Sequence, residues 1–339
     1  MTAKTWTAPE ILQVSSSYWT ACALQAGVSL DLFTTIDASA AENKALTVAE
    51  LAGALACDGR AFGMLVTALV ALGFLEREGE VLRLPEASAR FLSQRSNEYL
   101  GFILKHHAFI LPAWARLDEA VRTGRQTRLP TPTTENEQER EAFLMGMFNI
   151  ATYQAGLVAQ SLDLSGRGRL IDIGGGPGTY AVFFCQKNPA LRATIFDLPG
   201  SRAIAEGVVK RYGLEDRIDF AGGDFLGGAL PSGYDVAWLS QVLHGENPEN
   251  AGRLVADAAR TLNPGGLLVI QEFMLDENLS GPAHAALFSL NMLVGTAGGQ
   301  SYTQAAIADM MRRAGAGNIR CLPVDLPQSC RILVGEMGA

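Results

Sequence analysis

The segment LIDIGGGPGT, residues 170–179, decides the fold of the C-terminal half of this chain. Its strand-like run ends at Asp172, and glycine then occupies positions 174, 175, 176 and 178. A strand followed by a glycine-rich turn and a helix is typical of the ligand-binding edge of a doubly wound α/β sheet. Glycine in such a turn lets the main chain approach a ligand without a side chain in the way.

The sequence after this turn continues to alternate short apolar runs with helical stretches. Strands are predicted at 169–174, 192–197, 217–222, 234–240, 266–272, 318–324 and 330–336, and helices at 178–187, 200–212, 248–262 and 304–314. This pattern predicts a Rossmann-like, doubly wound parallel sheet with helices on both faces. The last two strands are too close in sequence for a helical crossover, so we expect a terminal antiparallel pair.

The N-terminal part of the chain predicts a mainly helical domain. Residues 16–33 and 46–75 have apolar residues at helical spacing, and residues 74–85 alternate like the strands of a hairpin. Helices followed by a hairpin form a winged helix. The helix that would enter a DNA groove, residues 58–73, carries Arg60 as its single cation, so we expect this domain to form a homodimer instead.

The predicted organisation has three parts. A winged-helix dimerisation domain spans residues 1–100, a helical connector that lines a small-molecule site spans 101–165, and the ligand-binding domain with the doubly wound sheet spans 166–339. The connector contains two further long helices, at 98–125 and 135–162, joined by a polar loop rich in Pro and Thr.

Charge and composition exclude several classes of function. The chain has 27 Lys and Arg against 35 Asp and Glu, a net charge of −8, and no basic cluster, which argues against a nucleic-acid partner. Its apolar stretches fall short of a membrane span, and its N-terminus lacks the pattern of a secretion signal. Five scattered cysteines without metal-ligand spacing predict reduced thiols in a cytoplasmic protein that binds no metal.

The spacing of the glycine loop separates the candidate cofactors. A dinucleotide fingerprint needs glycine at its first, third and sixth positions, and neither Gly174 nor Gly175 as a starting point satisfies it. A P-loop would end in Gly-Lys-Ser/Thr, which is absent. An acid followed by glycine at every second position, Asp172 and then 174, 176 and 178, resembles the loop of Rossmann-like S-adenosylmethionine-dependent methyltransferases.

Two further acids stand at the ends of the next two strands. Asp197, followed by Leu198, is placed to accept hydrogen bonds from ribose hydroxyls. Asp224 is placed to accept from an adenine amino group, with Phe225 against the face of the ring. A single aspartate at a strand end is often a helix cap, but three at consecutive strand ends favour a binding site. The predicted cofactor contacts are Asp172, Gly174, Gly175, Gly176, Asp197, Leu198, Asp224, Phe225 and Ser240.

With these residues the chain resembles the plant-type small-molecule O-methyltransferase family, class I, in its bacterial branch. The motifs IDIGGGPG, FDLP, GGDF, LHGENPE, LNPGGLLVIQE and GGQSYT carry the resemblance over nearly the whole chain. The resemblance implies transfer of a methyl group from S-adenosylmethionine to a hydroxyl of a small aromatic or polyketide-like acceptor held between the domains. S-adenosylhomocysteine would be the product, and the enzyme would be a homodimer.

The resemblance also implies the catalytic residues. His244 matches the general base of the family, and Glu272 matches an acid that steadies it. Two segments depart from the family pattern: HGE at 244–246 replaces His-Asp-Trp, and SYT at 301–303 replaces the segment with a second acid. C- or N-methylation, or a non-methylating relative, therefore stays the alternative. A transcriptional regulator with a metabolite-sensing domain is a third hypothesis, disfavoured by the apolar helix and the complete loop.

Acceptor-facing residues are expected on helices above the sheet. The candidates are Met147, Phe148, Met292, Thr296 and Tyr302, with Trp114 as a further one. An apolar, aromatic-lined slot suits a planar acceptor. Each of these side chains could equally belong to the core, and the Tyr302 hydroxyl could either face the acceptor or serve in packing.

Overall fold

The computed structural model describes residues 5–228 and 230–338 of the chain. Contacts divide it into two compact units, Met1–Phe109 and Ile110–Ala339. The predicted boundaries at residues 100 and 165 stay a prediction.

The first unit is helical apart from one hairpin. Its elements are α1 (Ala8–Ser16), α2 (Tyr18–Ser29), α3 (Leu32–Ala41), α4 (Val48–Ala54), α5 (Gly59–Ala71), β1 (Glu76–Glu78), β2 (Val81–Arg83) and α6 (Glu86–Leu92), followed by the beginning of α7 (Gly101–Trp114). The two strands pair antiparallel, as the hairpin pattern predicts. The capping box before α4 is present, since Glu50 N–H donates to Thr47 Oγ1 at 3.2 Å and Thr47 N–H donates to Glu50 Oε2 at 2.8 Å.

One helix of this unit differs from the sequence prediction. The stretch 16–33 is broken after α2, and α3 begins after Asp31, whose φ of 55° is left-handed. Asp tolerates this conformation better than most residues, so the chain can turn there between two helices. The turn brings Phe33 and Ile36 of α3 into one apolar core with Val66 and Leu69 of α5.

The second unit is a seven-stranded sheet with helices. Its strands are β3 (Arg169–Ile173), β4 (Arg192–Asp197), β5 (Ile218–Gly222), β6 (Tyr234–Ser240), β7 (Leu262–Phe273), β8 (Ala316–Cys321) and β9 (Cys330–Met337). Its helices, after the end of α7, are α8 (Leu117–Thr123), α9 (Glu137–Ser161), α10 (Thr179–Lys187), α11 (Arg202–Arg211), α12 (Pro248–Arg260), α13 (Ala283–Gly295) and α14 (Gln304–Arg313).

The strand order is β5-β4-β3-β6-β7-β9-β8. The first five strands along this order are parallel, and β9 lies antiparallel to both β7 and β8. The doubly wound sheet and its terminal antiparallel strands are therefore confirmed. From β3 the chain adds β4 and β5 on one side and later β6 and β7 on the other. The direction of winding therefore reverses between β3 and β6, and this reversal opens a crevice at the carboxyl ends of the strands.

Buried strands in this sheet face apolar side chains on both sides. Along β6, Val236 and Trp238 enter one core while Ala237 and Leu239 enter the other. This two-sided burial explains why YDVAWLS is a continuous apolar run instead of an alternating one.

Helix α9 has the length and apolar composition of a membrane span, and the bent pair α4 and α5 passes the same test when joined. Half of the apolar window of α9 is buried within the protein. Buried core helices of globular proteins meet the same criterion of length and apolar composition, so these helices are weak evidence that the chain spans a membrane.

Candidate active site

The glycine turn after β3 is shaped by close contacts that exclude side chains. Gly174 has a φ of 69°, and a Cβ built there would lie 2.9 Å from Val242 Cγ2 and 3.6 Å from Phe225 Cε1. A Cβ on Gly175 would lie 2.7 Å from Asp172 Cγ. The turn thus brings together segments that follow β3, β5 and β6, as a ligand cradle at the crevice requires.

Asp172 is a buried carboxylate with an unused acceptor. Its side chain is 2% exposed, and its Oδ2 has no hydrogen-bond partner among the described residues. Burial raises its pKa to about 7, and the nearby Asp197 charge adds to the increase, although the Ala181 N–H lowers it. A buried acceptor without a partner costs about 1–3 kcal/mol, so this oxygen suits a ligand that brings a donor.

Asp197 lies at the end of β4 and is already well supplied with donors. Gly176 N–H donates to its Oδ2 at 2.7 Å, while Leu198 N–H at 2.7 Å and Ser201 Oγ at 2.8 Å donate to its Oδ1. Burial raises the pKa of this carboxyl, and the three donors oppose that increase. A carboxylate has about four acceptor positions, which leaves about one open for a ribose hydroxyl.

Asp224 and Phe225 follow β5 at the same edge. The chain turns there because Leu226 N–H donates to Asp224 Oδ1 at 2.8 Å, so this aspartate also serves its own turn. Gly223 N–H donates to the Asp197 carbonyl at 2.9 Å, which ties the two strand ends together. The structure therefore brings Asp172, Asp197 and the segment of Asp224 to one rim of the sheet.

His244 lies in a short 3-10 turn just beyond β6, beside the buried end of β7. Its Nδ1 is 2.8 Å from Glu272 Oε2, and its main-chain N–H donates to Glu272 Oε1 at 3.3 Å. Glu272 is 1% exposed. A carboxylate at this distance favours the tautomer with a proton on Nδ1, which leaves the Nε2 lone pair free to accept a proton. The imidazole packs edge-on against Phe288 of α13, with ring centroids 4.7 Å apart.

The GGQSYT segment supports the turn that carries the histidine. A Cβ on Gly299 would collide with the His244 carbonyl oxygen. The Tyr302 hydroxyl donates to the Glu246 carbonyl at 2.6 Å, and this tyrosine is 5% exposed. The departures from the family pattern are thus joined in space, and the Tyr302 hydroxyl is engaged in holding the main chain at 246.

Comparison with known proteins gives the family. A model of the O-methyltransferase domain matches residues 114–316, and a model of the O-methyltransferase dimerisation domain matches residues 12–94. The chain belongs to the O-methyltransferase family. The family predicted from the motifs is therefore confirmed.

Three relatives of this O-methyltransferase illustrate the similarity. The 3-hydroxy-5-methyl-1-naphthoate 3-O-methyltransferase of Streptomyces sahachiroi is 34% identical over 96% of this chain and 94% of its own length. The tetracenomycin polyketide synthesis 8-O-methyl transferase TcmO of Streptomyces glaucescens is 32% identical over 95% of both chains. Human N-acetylserotonin methyltransferase, solved in complex with S-adenosylmethionine, superposes with a TM-score of 0.85 at 26% identity over 100% of both chains.

The predicted acceptor-facing residues of the methyltransferase occupy different environments. Met292 is buried on α13, and Met147 is half-buried on α9. Phe148 is 4% exposed in the core of the sheet domain, with the Arg211 guanidinium over its ring. Thr296 closes the end of α13, since its hydroxyl donates to the Met292 carbonyl and accepts from Gly299 N–H.

Two further predicted positions are fixed by partners within the methyltransferase. Ser240 lies beside the Tyr180 hydroxyl, which accepts from Gln271 at 2.8 Å. The Trp114 indole donates to Asn291 on α13 at 3.0 Å. Their assignment to the cofactor and the acceptor stays a prediction.

Sequence reasoning missed three side chains that lie close to the site. Val242 contacts Gly174, Phe288 contacts the His244 ring, and Leu144 Cδ2 lies 3.7 Å from the Cβ position of Gly176. Val242 follows Ser240 by two residues, and an apolar residue just beyond the end of a strand could have been predicted to line the site. Leu144 had no such signal, because only the fold of α9 over the glycine turn brings it there.

Proposed function

We propose that this enzyme transfers the methyl group of S-adenosylmethionine to a phenolic hydroxyl of a small polycyclic acceptor of the polyketide type, with His244 as the general base. The buried His244–Glu272 pair, at 2.8 Å, carries the proposal. His244 follows Val242 by two residues, and Val242 contacts the glycine turn, so we infer that the base and the cofactor cradle lie on one rim of the sheet.

The acceptor class rests on the relatives. Two proteins that match nearly the whole chain are named for a hydroxynaphthoate and for tetracenomycin polyketide synthesis. Phe288 and Met292 offer an apolar wall of the kind a planar ring system requires.

The residues at the rim fit the cofactor. Gly174, Gly175 and Gly176 form a cradle that a Cβ would fill at two positions, and Asp172 Oδ2, which has no partner among the described residues, can accept a hydrogen bond from the cofactor. In this proposal Asp197 and Leu198 hold the ribose, and Asp224 and Phe225 hold the adenine. When bound, S-adenosylmethionine supplies an electrophilic methyl group on a positively charged sulfur.

The protein contributes proton transfer and alignment. Glu272 keeps the Nδ1 proton of His244 in place, so that Nε2 removes the proton of the acceptor hydroxyl. The imidazolium that forms is stabilised by the buried carboxylate. A positioned base contributes roughly 10²–10⁴-fold, and alignment of the reactants contributes about 7–11 kcal/mol in favourable cases.

The test of the base is His244→Ala, with His107→Ala as a matched histidine control. We expect the control to behave like wild type. The His244 variant should bind S-adenosylhomocysteine normally in calorimetry and lose roughly 10²–10⁴-fold in kcat/KM with a phenolic acceptor. Methylation at the wild-type rate, or mass and NMR analysis that locates the new methyl on carbon or nitrogen, would contradict the assignment.

The proposal includes a homodimer formed through the dimerisation domain. Several apolar side chains of α1 and α2 are exposed, among them Leu12 at 69% and Trp19 at 65%. Exposed apolar patches of this kind are typical of protein interfaces. Light scattering should give twice the chain mass of 36.1 kDa, and Leu12→Glu combined with Trp19→Glu should lower it. A wild-type monomer would refute the dimer.

The cytoplasm and the lack of a nucleic-acid partner also remain parts of the proposal. The net charge of −8 disfavours phosphate backbones. Cys185 and Cys330 are buried thiols, and reduced thiols are typical of the cytoplasm.

A further inference from the structure

Arg128 occupies an unusual place at the C-terminal end of α13. The main-chain N–H groups of Thr127 and Arg128 donate to the Val294 carbonyl at 3.0 and 3.2 Å. The loop before α9 is thereby fastened to the end of the helix that carries Phe288 and Met292. All of these residues belong to the unit Ile110–Ala339.

The guanidinium is held in one orientation. Its Nη1 donates to the Thr131 hydroxyl at 2.7 Å and to the Leu129 carbonyl at 3.2 Å, and Thr131 is 2% exposed. A Cβ on Gly295 would lie 2.7 Å from the Arg128 Cζ, so glycine is needed for the guanidinium to lie against the helix. The side chain is therefore positioned by the protein and does not move freely in solvent.

One edge of this guanidinium lacks acceptors among the residues that the structure describes. Within residues 5–228 and 230–338, Nε is buried without a hydrogen-bond partner, Nη2 has no hydrogen-bond acceptor, and no carboxylate forms an ion pair with Arg128. Burial lowers the pKa of the guanidinium, and the Glu139 charge offsets part of this effect. An arginine stays charged under such conditions, so this half-buried cation is only partly compensated, by the Glu139 charge.

The helix face connects this cation with the catalytic pair. Phe288, Met292 and Gly295 follow at intervals of four and three residues, so they share one face of α13. Phe288 contacts the His244 ring at one end of this face, and Gly295 contacts Arg128 at the other. Seven residues at a rise of 1.5 Å place the two ends about 10 Å apart.

From these contacts we infer that Arg128 forms an anion subsite for the acceptor, through which the enzyme selects hydroxylated aromatic carboxylates. This inference rests on the proposed function. The Nε–Nη2 edge matches the two oxygens of a carboxylate. The separation of about 10 Å along α13 between Phe288 and Gly295 accommodates a hydrogen bond at each end and an aromatic ring between them. Met292 lies midway along the face, where the ring system would pack.

The test compares two acceptors that differ only in the carboxylate, 3-hydroxy-1-naphthoate and 2-naphthol. Calorimetry measures their binding to the S-adenosylhomocysteine-loaded enzyme. We expect wild type to bind the naphthoate about 10- to 100-fold more tightly, as charge-assisted hydrogen bonds allow. Arg128→Gln should reduce this preference to less than threefold and leave the affinity for 2-naphthol unchanged. Arg128→Met, which keeps an apolar stem of similar reach, serves if the Gln variant does not fold.

The outcomes separate this inference from the proposed function. Equal binding of the two compounds by wild type, binding of neither, or a preference that survives both substitutions would overturn the subsite. Methyl transfer to 2-naphthol without any preference for the naphthoate would leave the proposed function intact and refute the subsite alone. A carboxylate preference in binding without transfer to any phenol would refute the proposed function instead.

Discussion

Replacement of Asp172 by asparagine should stabilise the cofactor-free protein at neutral and alkaline pH. The carboxyl is buried, and its pKa is raised from 3.8 to about 7. A group with a raised folded-state pKa contributes stability that is fully present below its unfolded pKa and is lost as the pH rises through the folded pKa. Wild type should therefore lose stability between about pH 4 and pH 8, and the asparagine variant should not.

The structure sets the size of this effect. A difference of about three pKa units corresponds to roughly 4 kcal/mol at 1.36 kcal/mol per unit. Asparagine places an NH₂ group where Oδ2 has no hydrogen-bond partner within residues 5–228 and 230–338, which costs about 1–3 kcal/mol. The variant should thus gain about 1–3 kcal/mol at pH 8, or roughly 2–10 °C in Tm for a unit of this size.

Thermal unfolding between pH 5 and pH 8.5 without cofactor measures the effect, with the exposed Asp219→Asn as the control. The stability difference between Asp172→Asn and wild type should shrink as the pH falls and reverse near pH 5. S-adenosylhomocysteine should bind the variant more weakly, because an acceptor at the glycine turn is lost. A difference in Tm that does not change with pH would refute the reasoning.

Three other substitutions test the remaining parts of the site. Glu272→Gln replaces a charge-assisted hydrogen bond to His244 with a neutral one, so kcat should fall about 5- to 30-fold while calorimetry finds cofactor affinity unchanged. Asp197→Asn presents an NH₂ group to main-chain donors and should weaken S-adenosylhomocysteine binding about 10- to 100-fold in the same assay. Tyr302→Phe removes the buried hydrogen bond to the Glu246 carbonyl and should lower the free energy of unfolding by about 1–2 kcal/mol in urea titrations. A kcat, a cofactor affinity or a free energy of unfolding equal to the wild-type value would contradict the role assigned to Glu272, Asp197 or Tyr302, respectively.

Local sequence patterns were sufficient to predict the architecture of the second unit and the residues at the rim of its sheet. Strand periodicity and the glycine turn identify the doubly wound sheet, and the carboxyl ends of its parallel strands necessarily share one edge. Asp172, Asp197 and Asp224 could therefore be grouped before their contacts were known. The break at Asp31 could not be predicted, because its left-handed φ depends on how α2 and α3 pack.

The sequence alone determined the family and the doubly wound sheet with its terminal antiparallel pair, because motifs and strand periodicity depend only on local spacing. The roles of His244 and Glu272 were implied by the resemblance to that family. The tertiary structure decided what the side chains do once they are there. It engaged the Tyr302 hydroxyl with the Glu246 carbonyl and, within the part of the chain that the structure describes, left Arg128 Nε without an acceptor. Such contacts join segments that are distant in the chain, and hydrogen-bond partners are set by distances and angles that no spacing in a linear sequence specifies.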